Sequence, residues 1–410
     1  MTFEELYRTM LKQAVEKGSV QADDLEASAG HLDCLLHPQD HPLVWPLNPC
    51  TCPKEETHCA AACLFDAIVR RDDGTLAVDP DRCSGCGGCI QACQSGNLTA
   101  SRDVLPALDA VKHAKGPVYA LIAPAFLGQF STVVTPGRLR SAFKLLGFTG
   151  MVEVALFADL LTLKEALEFD RNIHTETDFQ LTSCCCPMWI GMIRKLYHEL
   201  MPHVPGAVSP MIAAGRTVKK LHPDAVTIFV GPCIAKKAEA READLAGAVD
   251  YVLTFQEMQD IFQAADIHPE LLEESERDHS SRAGRIYART GGVSEAVRTT
   301  VARLHPERPI QVRTRQADGV PACRAMIEDI RSGQHQANFF EGMGCTGGCV
   351  GGPKVLLDRE TGRENVDRYG DEAEFSTPLD NPYVLKLLRL LGFDTVEEFL
   401  EQSDIFIRHF

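Results

Sequence analysis

Cysteine is the residue whose number and spacing in this chain bear most directly on chemistry. Sixteen occur among 410 residues, and they are clustered. Nine lie between Cys34 and Cys93, three are consecutive at 184–186, and Cys233, Cys323, Cys345 and Cys349 follow. The N-terminal stretch MTFEELYRTMLKQAVEKG is charged and amphipathic. It lacks the basic start and apolar run of a signal peptide. The chain therefore reads as cytoplasmic, where clustered thiols are better explained by metal than by disulfides. With 41 basic and 57 acidic residues the formal charge is −16, which disfavours nucleic acid and anionic membrane as partners. No apolar run approaches a membrane span. The triplet in LTSCCCPMW poses its own question. Adjacent cysteines pair only under strain, and three successive positions cannot all reach one small metal centre, so the three thiols must divide their labour.

Two segments have iron-sulfur spacing. DRCSGCGGCIQACQSG places Cys83, Cys86, Cys89 and Cys93 as C-x2-C-x2-C-x3-C, the bacterial ferredoxin run with Gln94 in place of the usual proline. Glycines between the thiolates let the backbone wrap a cluster. A zinc site would normally use two separated CxxC pairs. Upstream, Cys50, Cys52, Cys59 and Cys63 have an irregular front and a ferredoxin-like C-x3-C end. In two-cluster ferredoxins the fourth cysteine of each run serves the other cluster. That rule assigns Cys50, Cys52, Cys59 and Cys93 to one 4Fe-4S cluster, and Cys63, Cys83, Cys86 and Cys89 to a second. His58 is an alternative ligand beside Cys59, or a solvent-facing histidine. Two clusters this close serve single-electron transfer.

These residues need elements to hold them. A helix is expected at roughly 2–17. Strands are expected at VYALIA (118–123), MVEVAL (151–156), DFQLTS (178–183), AVTIFVG (225–231), VDYVLTF, IQVRT and ANFFEGM. Helices are expected over LRSAFKLLG, LLTLKEALEF, 188–201, 209–221, 255–265, 291–304 and 319–332, with two short helices and a tail at the C-terminus. Strand–helix alternation predicts parallel sheets flanked by helices. Ligands of such sheets lie beyond the carboxyl ends of the strands, where TSCCC, GPC and GMGC fall. The expected fold class is an α/β catalytic domain of two lobes with mainly parallel sheets, plus a small α+β ferredoxin-like domain. The boundaries read as an N-terminal helical extension (1–49), the iron-sulfur domain (50–104), the catalytic domain (105–375) and a C-terminal helical tail (376–410).

LTSCCCPMW, VGPCIAKKAEA and FFEGMGCTGGCVGGP, in this order behind ferredoxin cysteines, resemble the three signatures of the FeFe hydrogenases. TSCCCPMW and GPC resemble the variant called group B, and 376–410 resembles the family's small-subunit segment. The resemblance extends over about residues 50–400. It implies an H-cluster, a 4Fe-4S cube bridged by a cysteine to a two-iron subsite with CO, cyanide and dithiolate ligands. It implies H2 and protons as substrates, ferredoxin or a similar carrier as redox partner, and dedicated maturation proteins.

Residue roles follow from the same resemblance. Anchoring on CPMW makes Cys186 the cube ligand and Cys185 the proton shuttle, with Cys184 at the family's serine. Counting from the helix ADLLTLKEALEF agrees, while anchoring on TS would make Cys185 the ligand. Cys233, Cys345 and Cys349 complete the cube, with Cys349 as the bridge. Lys236 matches the lysine that donates to a cyanide, a sensible pairing of cationic donor and anionic ligand. Pro124 and Ala125 match the backbone at the other cyanide, Met343 the apolar residue over the subsite, and Ser209 a family serine. Cys185, with a thiol pKa ordinarily about 8.5, would relay protons to Glu165 and Glu168, which share one helix face. Read without the motifs, those glutamates would be an exposed acidic face and Lys236-Lys237 a pair of solvated charges.

Three positions depart from the family. Pro205 stands where a relay serine is expected, Gly231 where a methionine precedes Cys233, and VGGPK replaces the usual GGGQP. Cys34 and Cys323 have no ligand role and read as small core residues. The implied activity is reversible oxidation of hydrogen. Its rivals are a hydrogenase-like iron-sulfur assembly factor, a hydrogen sensor and a plain electron-transfer protein. Lys236, Met343 and CPMW argue against the first, the remaining shuttle candidate against the second, and the 300 or so residues after the ferredoxin module against the third.

Overall fold

The structure, a computed structural model, describes residues 1–22, 25–53, 57–72, 75–182, 185–275 and 279–410. Ser183 and Cys184 lie outside the described residues, so the position assigned to the family's serine does too.

The apolar run Val118–Ile122 is the centre of a four-stranded sheet. It pairs in parallel with Gly150–Glu153 on one side and Val226–Gly231 on the other, and Tyr251–Thr254 completes the sheet. Such strands are covered on both faces, which is why they read as continuous apolar runs. The helices that cover them have strong ends. Thr135 caps Pro136–Leu146, whose Pro136 sits where no amide hydrogen is needed, and Gly147 ends the helix at φ 109°. Ser209 caps Pro210–Leu221. A second parallel sheet orders Thr314–Asp318, Phe339–Met343 and Gln180–Leu181.

The second sheet corrects two expectations. IQVRT (310–314) is not a strand; pairing starts at Thr314 and runs to Asp318. The segment before it is tied instead by the Asn338 side chain, whose Oδ1 accepts the Arg313 N–H at 2.8 Å and whose Nδ2 donates to the Gln311 carbonyl at 3.0 Å. The DFQLTS strand contracts to Gln180–Leu181. The expected helix 188–201 stops at Leu196, and a 3-10 segment, His198–His203, follows with Pro202 inside it.

The cysteine-rich module is built from two antiparallel pairs, Val44–Pro46 with Leu98–Ala100 and Ile68–Arg70 with Leu76–Val78. Short helices His58–Ala61 and Gly88–Ala92 carry thiols between them. The strand at 44–46 lies ahead of the expected boundary at residue 50, because its partner is the module's last strand. The module packs on the catalytic lobes through the 83–89 loop. Gly85, at φ 68°, has no room for a side chain: a Cβ would meet the Ala235 backbone at 3.0 Å. The C-terminal stretch forms one α-helix, Pro382–Leu390, and a single π turn, Glu398–Gln402. Its last residues return to the body, where the Val208 N–H donates to the Phe406 carbonyl at 3.0 Å.

Candidate active site

Four cysteines meet where the two parallel sheets end. Cys186 caps Pro187–Leu196, Cys233 follows Val226–Gly231, and Cys345 and Cys349 follow Phe339–Met343. Trp189 of the CPMW stretch locks this arrangement. It is fully buried, its indole N–H donates to the Thr182 carbonyl at 3.3 Å, and its ring lies on Gly342, where a Cβ would sit 2.1 Å from it. The Gly344 N–H donates to Cys186 Sγ at 3.3 Å.

The thiols feel one another. Burial pushes Cys233 up to about 11, and Cys186 adds to the rise. Burial, then Cys186 and Cys233, push Cys349 up to about 12. Cys345 is raised further still by burial, with Cys233, Cys186 and Cys349 next. Four ionised sulfurs cannot share this space without cationic metal to hold them. Of the two described members of the triplet, Cys186 is the one within this group. Cys185 lies near enough to Tyr287 to raise its phenol, as Glu165 does more strongly.

Lys236 and Lys237 are only 7% and 1% exposed, so the alternative reading as solvated charges does not hold. Lys237 donates to the Val252 carbonyl at 2.7 Å and pairs with Glu257 at 3.1 Å, a structural role. Lys236 donates to Glu239 at 2.7 Å. Burial works against its charge, but Glu239, Cys233 and Cys349 outweigh burial and raise its pKa. An ammonium is thus fixed beside the inner thiols. Glu239 was not legible in the sequence, although its i,i+3 spacing from Lys236 is a weak signal. Pro124 and Ala125 open a 3-10 turn directly after the central strand, with Ala125 buried. Met343 ends its strand buried in the apolar cluster against which Cys185 and Cys186 pack. Ser209 is not brought to the thiols by any described contact. Its buried hydroxyl accepts the Ile212 N–H at 3.4 Å as a helix cap. Cys323 is a buried core thiol, donating to the Met343 carbonyl at 3.3 Å.

Glu165 and Glu168 lie on Ala155–Asn172 and are 2% and 5% exposed, so they are not an exposed acidic face. Lys164, also buried, donates to Glu168 Oε1 at 2.6 Å and to the Leu400 carbonyl at 3.3 Å. Burial raises the Glu168 carboxyl, and Lys164 only partly offsets this. Its Oε2 is buried without a hydrogen-bond partner. Tyr287 is a further group that sequence reasoning missed. Thr162 Oγ1 donates to its phenol oxygen at 2.8 Å. Burial, then Glu165, hold the phenol above its usual range, with Cys185 contributing. Nothing in the surrounding GRIYARTGG distinguishes this tyrosine from a core aromatic.

In the outer module two cavities are lined by thiols. Cys50, Cys52, Cys59 and Cys93 surround one, with exposed His58 at its edge, and Cys63, Cys83, Cys86 and Cys89 surround the other. Backbone amides point at sulfurs here, Ala67 N–H at Cys63 (3.2 Å) and Asn97 N–H at Cys93 (3.3 Å). Cys86 is near enough to Cys345 to raise it. Among the described residues no three His, Cys, Asp or Glu side chains converge on one metal ion. Four thiols spaced around a cavity are the donor set of a 4Fe-4S cluster, in which each thiolate binds a different iron. The donor chemistry of all three groups of four therefore fits iron-sulfur clusters.

Residues 116–353 match the model of the iron only hydrogenase large subunit, C-terminal domain, and 76–99 match a 4Fe-4S binding domain. The chain belongs to the iron-only hydrogenase family. It is similar to iron hydrogenase 1 of Clostridium pasteurianum, 28% identical over 275 residues, covering 57% of this chain and 48% of that one. It is also similar to the NADP-reducing hydrogenase subunit HndD of Solidesulfovibrio fructosivorans, 25% identical over 365 residues, covering 74% and 62%. The chain thus spans about half to three fifths of these relatives' length. The structure of apo FeFe-hydrogenase HydA1 from Chlamydomonas reinhardtii shares the fold, with TM-score 0.63 at 22% identity over 75% of this chain and 98% of that one. Among the described residues no helix is long and apolar enough to cross a membrane.

Proposed function

We propose that this chain is an FeFe hydrogenase catalysing the reversible oxidation of H2 to protons and electrons. Electrons pass through two 4Fe-4S clusters to ferredoxin or a similar carrier, and maturation proteins supply the two-iron subsite. The observation that carries this reading is the group of four mutually repelling thiols, Cys186, Cys233, Cys345 and Cys349, with the buried Lys236 ammonium beside them. An electron carrier alone has no use for that cation.

In this reading the four thiolates would hold the cube, with Cys349 as its link to the two-iron subsite, and that subsite would supply the metal chemistry that splits hydrogen. Lys236, fixed by Glu239, would donate to an anionic ligand of that group. The Pro124–Phe126 turn, with Ala125 buried in it, would offer backbone groups to that site. Met343 and Trp189 keep water away. Cys185 takes the proton outward, and Tyr287 and Glu165 flank its path. Glu165 and Glu168, three apart on one helix, carry the proton through the buried layer. The proximity of Cys86 to Cys345 supports direct electron exchange between the second cluster and the cube.

The test is hydrogen-dependent reduction of methyl viologen by protein loaded with iron, sulfide and synthetic two-iron cofactor. Uptake and the reverse evolution from reduced viologen are both expected. Fully loaded protein inactive in both directions would refute the reading and favour the assembly-factor alternative.

A further inference from the structure

Pro205 stands at the position where a relay hydroxyl is expected, and its side chain carries no exchangeable proton. A cavity of about 490 Å³ opens at this point, and Glu168, Arg171, Asp178, His203 and Pro205 are among its lining residues. The volume is ample for a chain of waters. Glu168 forms part of its wall. Lys164 holds Oε1, and Oε2 is buried without a partner behind this wall, so a small turn of the side chain would bring the carboxyl to a cavity water.

We propose that His203 exchanges protons between Glu168, through cavity water, and bulk solvent. This rests on the hydrogenase reading and names a relay group within it. The imidazole is well placed. Its ring stacks on Phe179 at 3.8 Å between centroids and 18° between planes. Nδ1 lies 3.3 Å from the Phe179 carbonyl oxygen, which can only accept, so Nδ1 carries the hydrogen and Nε2 is the basic nitrogen. Among the described residues Nε2 has no hydrogen-bond partner. Burial lowers the imidazole pKa, while the Phe179 carbonyl and Asp178 oppose the fall. The neutral ring is thus a ready acceptor near neutral pH.

The other titratable groups on the wall are unsuited. Arg171 does not deprotonate in this range and pairs with Glu401 at 2.6 Å. Asp178 accepts the N–H groups of His174 and Thr175, each at 2.8 Å, and its pKa is depressed by them, which leaves it a weak base. The charged groups facing His203 are therefore Asp178, Glu168 and Arg171, with Lys164 behind Glu168. In the outward direction, the Glu168 O–H bond breaks as a cavity water accepts its proton. That water passes a proton to Nε2, and the imidazolium then releases it to bulk. No electrons move, and proton uptake is the same sequence reversed.

The experiment compares wild type, His203→Ala and His203→Gln as full chains carrying all clusters and synthetic cofactor. Viologen-linked turnover is followed across the neutral pH range, with infrared bands of the loaded site as a control. Both variants should lose at least about tenfold in turnover with bands unchanged, and added imidazole should restore His203→Ala. Variants as fast as wild type, or a loss that imidazole does not rescue, would overturn the assignment and leave the hydrogenase reading standing. A wild type without bands or turnover would overturn both. Independently of turnover, NMR titration of the labelled histidines in the cluster-loaded chain should show the His203 pKa moving on Glu168→Gln. A pKa that does not move would also overturn the coupling.

Discussion

Replacing Lys164 by methionine should destabilise the catalytic domain far more than a surface substitution would, and the loss should disappear when Glu168 is also made neutral. The Lys164–Glu168 contact is 2.6 Å long, and the two side chains are 1% and 7% exposed. At an effective dielectric of about 20, opposite charges at that distance attract by about 6 kcal/mol. Much of this is offset by the cost of burying both. Removing one partner leaves the other charge buried alone, and such changes cost about 3–5 kcal/mol. Lys164→Met should therefore lower the Tm of the catalytic domain by roughly 5–9 °C, whereas Lys164→Met with Glu168→Gln should lie within about 1 kcal/mol of wild type. The pH dependence has a definite sign. The Glu168 carboxyl is raised above its ordinary 4.5 in the folded chain. Between that value and the folded one, the native state binds more protons than the unfolded state, so this group's contribution to stability falls as pH rises through the window. Glu168→Gln should remove that slope. Urea and thermal unfolding of the cluster-loaded chain read both effects. A single Lys164→Met variant as stable as wild type, or a double variant no better than the single, would refute the reasoning.

Three further predictions concern the site. Cys185→Ala should nearly abolish turnover with the infrared bands of the loaded site retained, whereas Cys186→Ala should lose the cube by iron content and EPR; loss of the cube in Cys185→Ala would shift the register by one residue. Tyr287→Phe should lower turnover about tenfold without altering those bands, since only the phenol facing Cys185 and Glu165 is removed; an unchanged rate would leave Tyr287 a core aromatic. Gly342→Ala forces a Cβ to within 2.1 Å of the Trp189 ring, which should destabilise the domain by about 3 kcal/mol or leave it insoluble; normal unfolding of that variant would contradict the packing described.

The elements legible in the sequence were those whose signals are local. Val118–Ile122 and Val226–Gly231 read as strands because buried parallel strands are continuous apolar runs. The cysteine spacings were legible because a cluster imposes its dimensions on a short loop. What was not legible depends on partners distant in the chain. IQVRT has strand composition, but Asn338 ties its backbone, and pairing moves on to the more polar TRQAD. Glu165 and Glu168 carry no mark of burial, since burial follows from helices far along the chain that pack on theirs, among them Pro210–Leu221 and Gly292–Leu304. Tyr287 gains its place from an approach of elements more than 100 residues apart in the chain, seen in its bond from Thr162. His203 lay just beyond the expected helix 188–201, and its place against Phe179 follows from the 3-10 segment His198–His203 that replaces the end of that helix.

The central claim is that Cys186, Cys233, Cys345, Cys349 and Lys236 hold a cube with an attached two-iron subsite. Anaerobic infrared spectroscopy of protein produced with the maturation machinery, or loaded with synthetic cofactor, tests it most directly. Proteins are otherwise silent where CO and cyanide ligands absorb. Bands of both kinds are expected, with the cyanide bands shifted in Lys236→Met. Full iron loading with no band in that region would contradict it and leave a cluster-binding relative without the two-iron subsite.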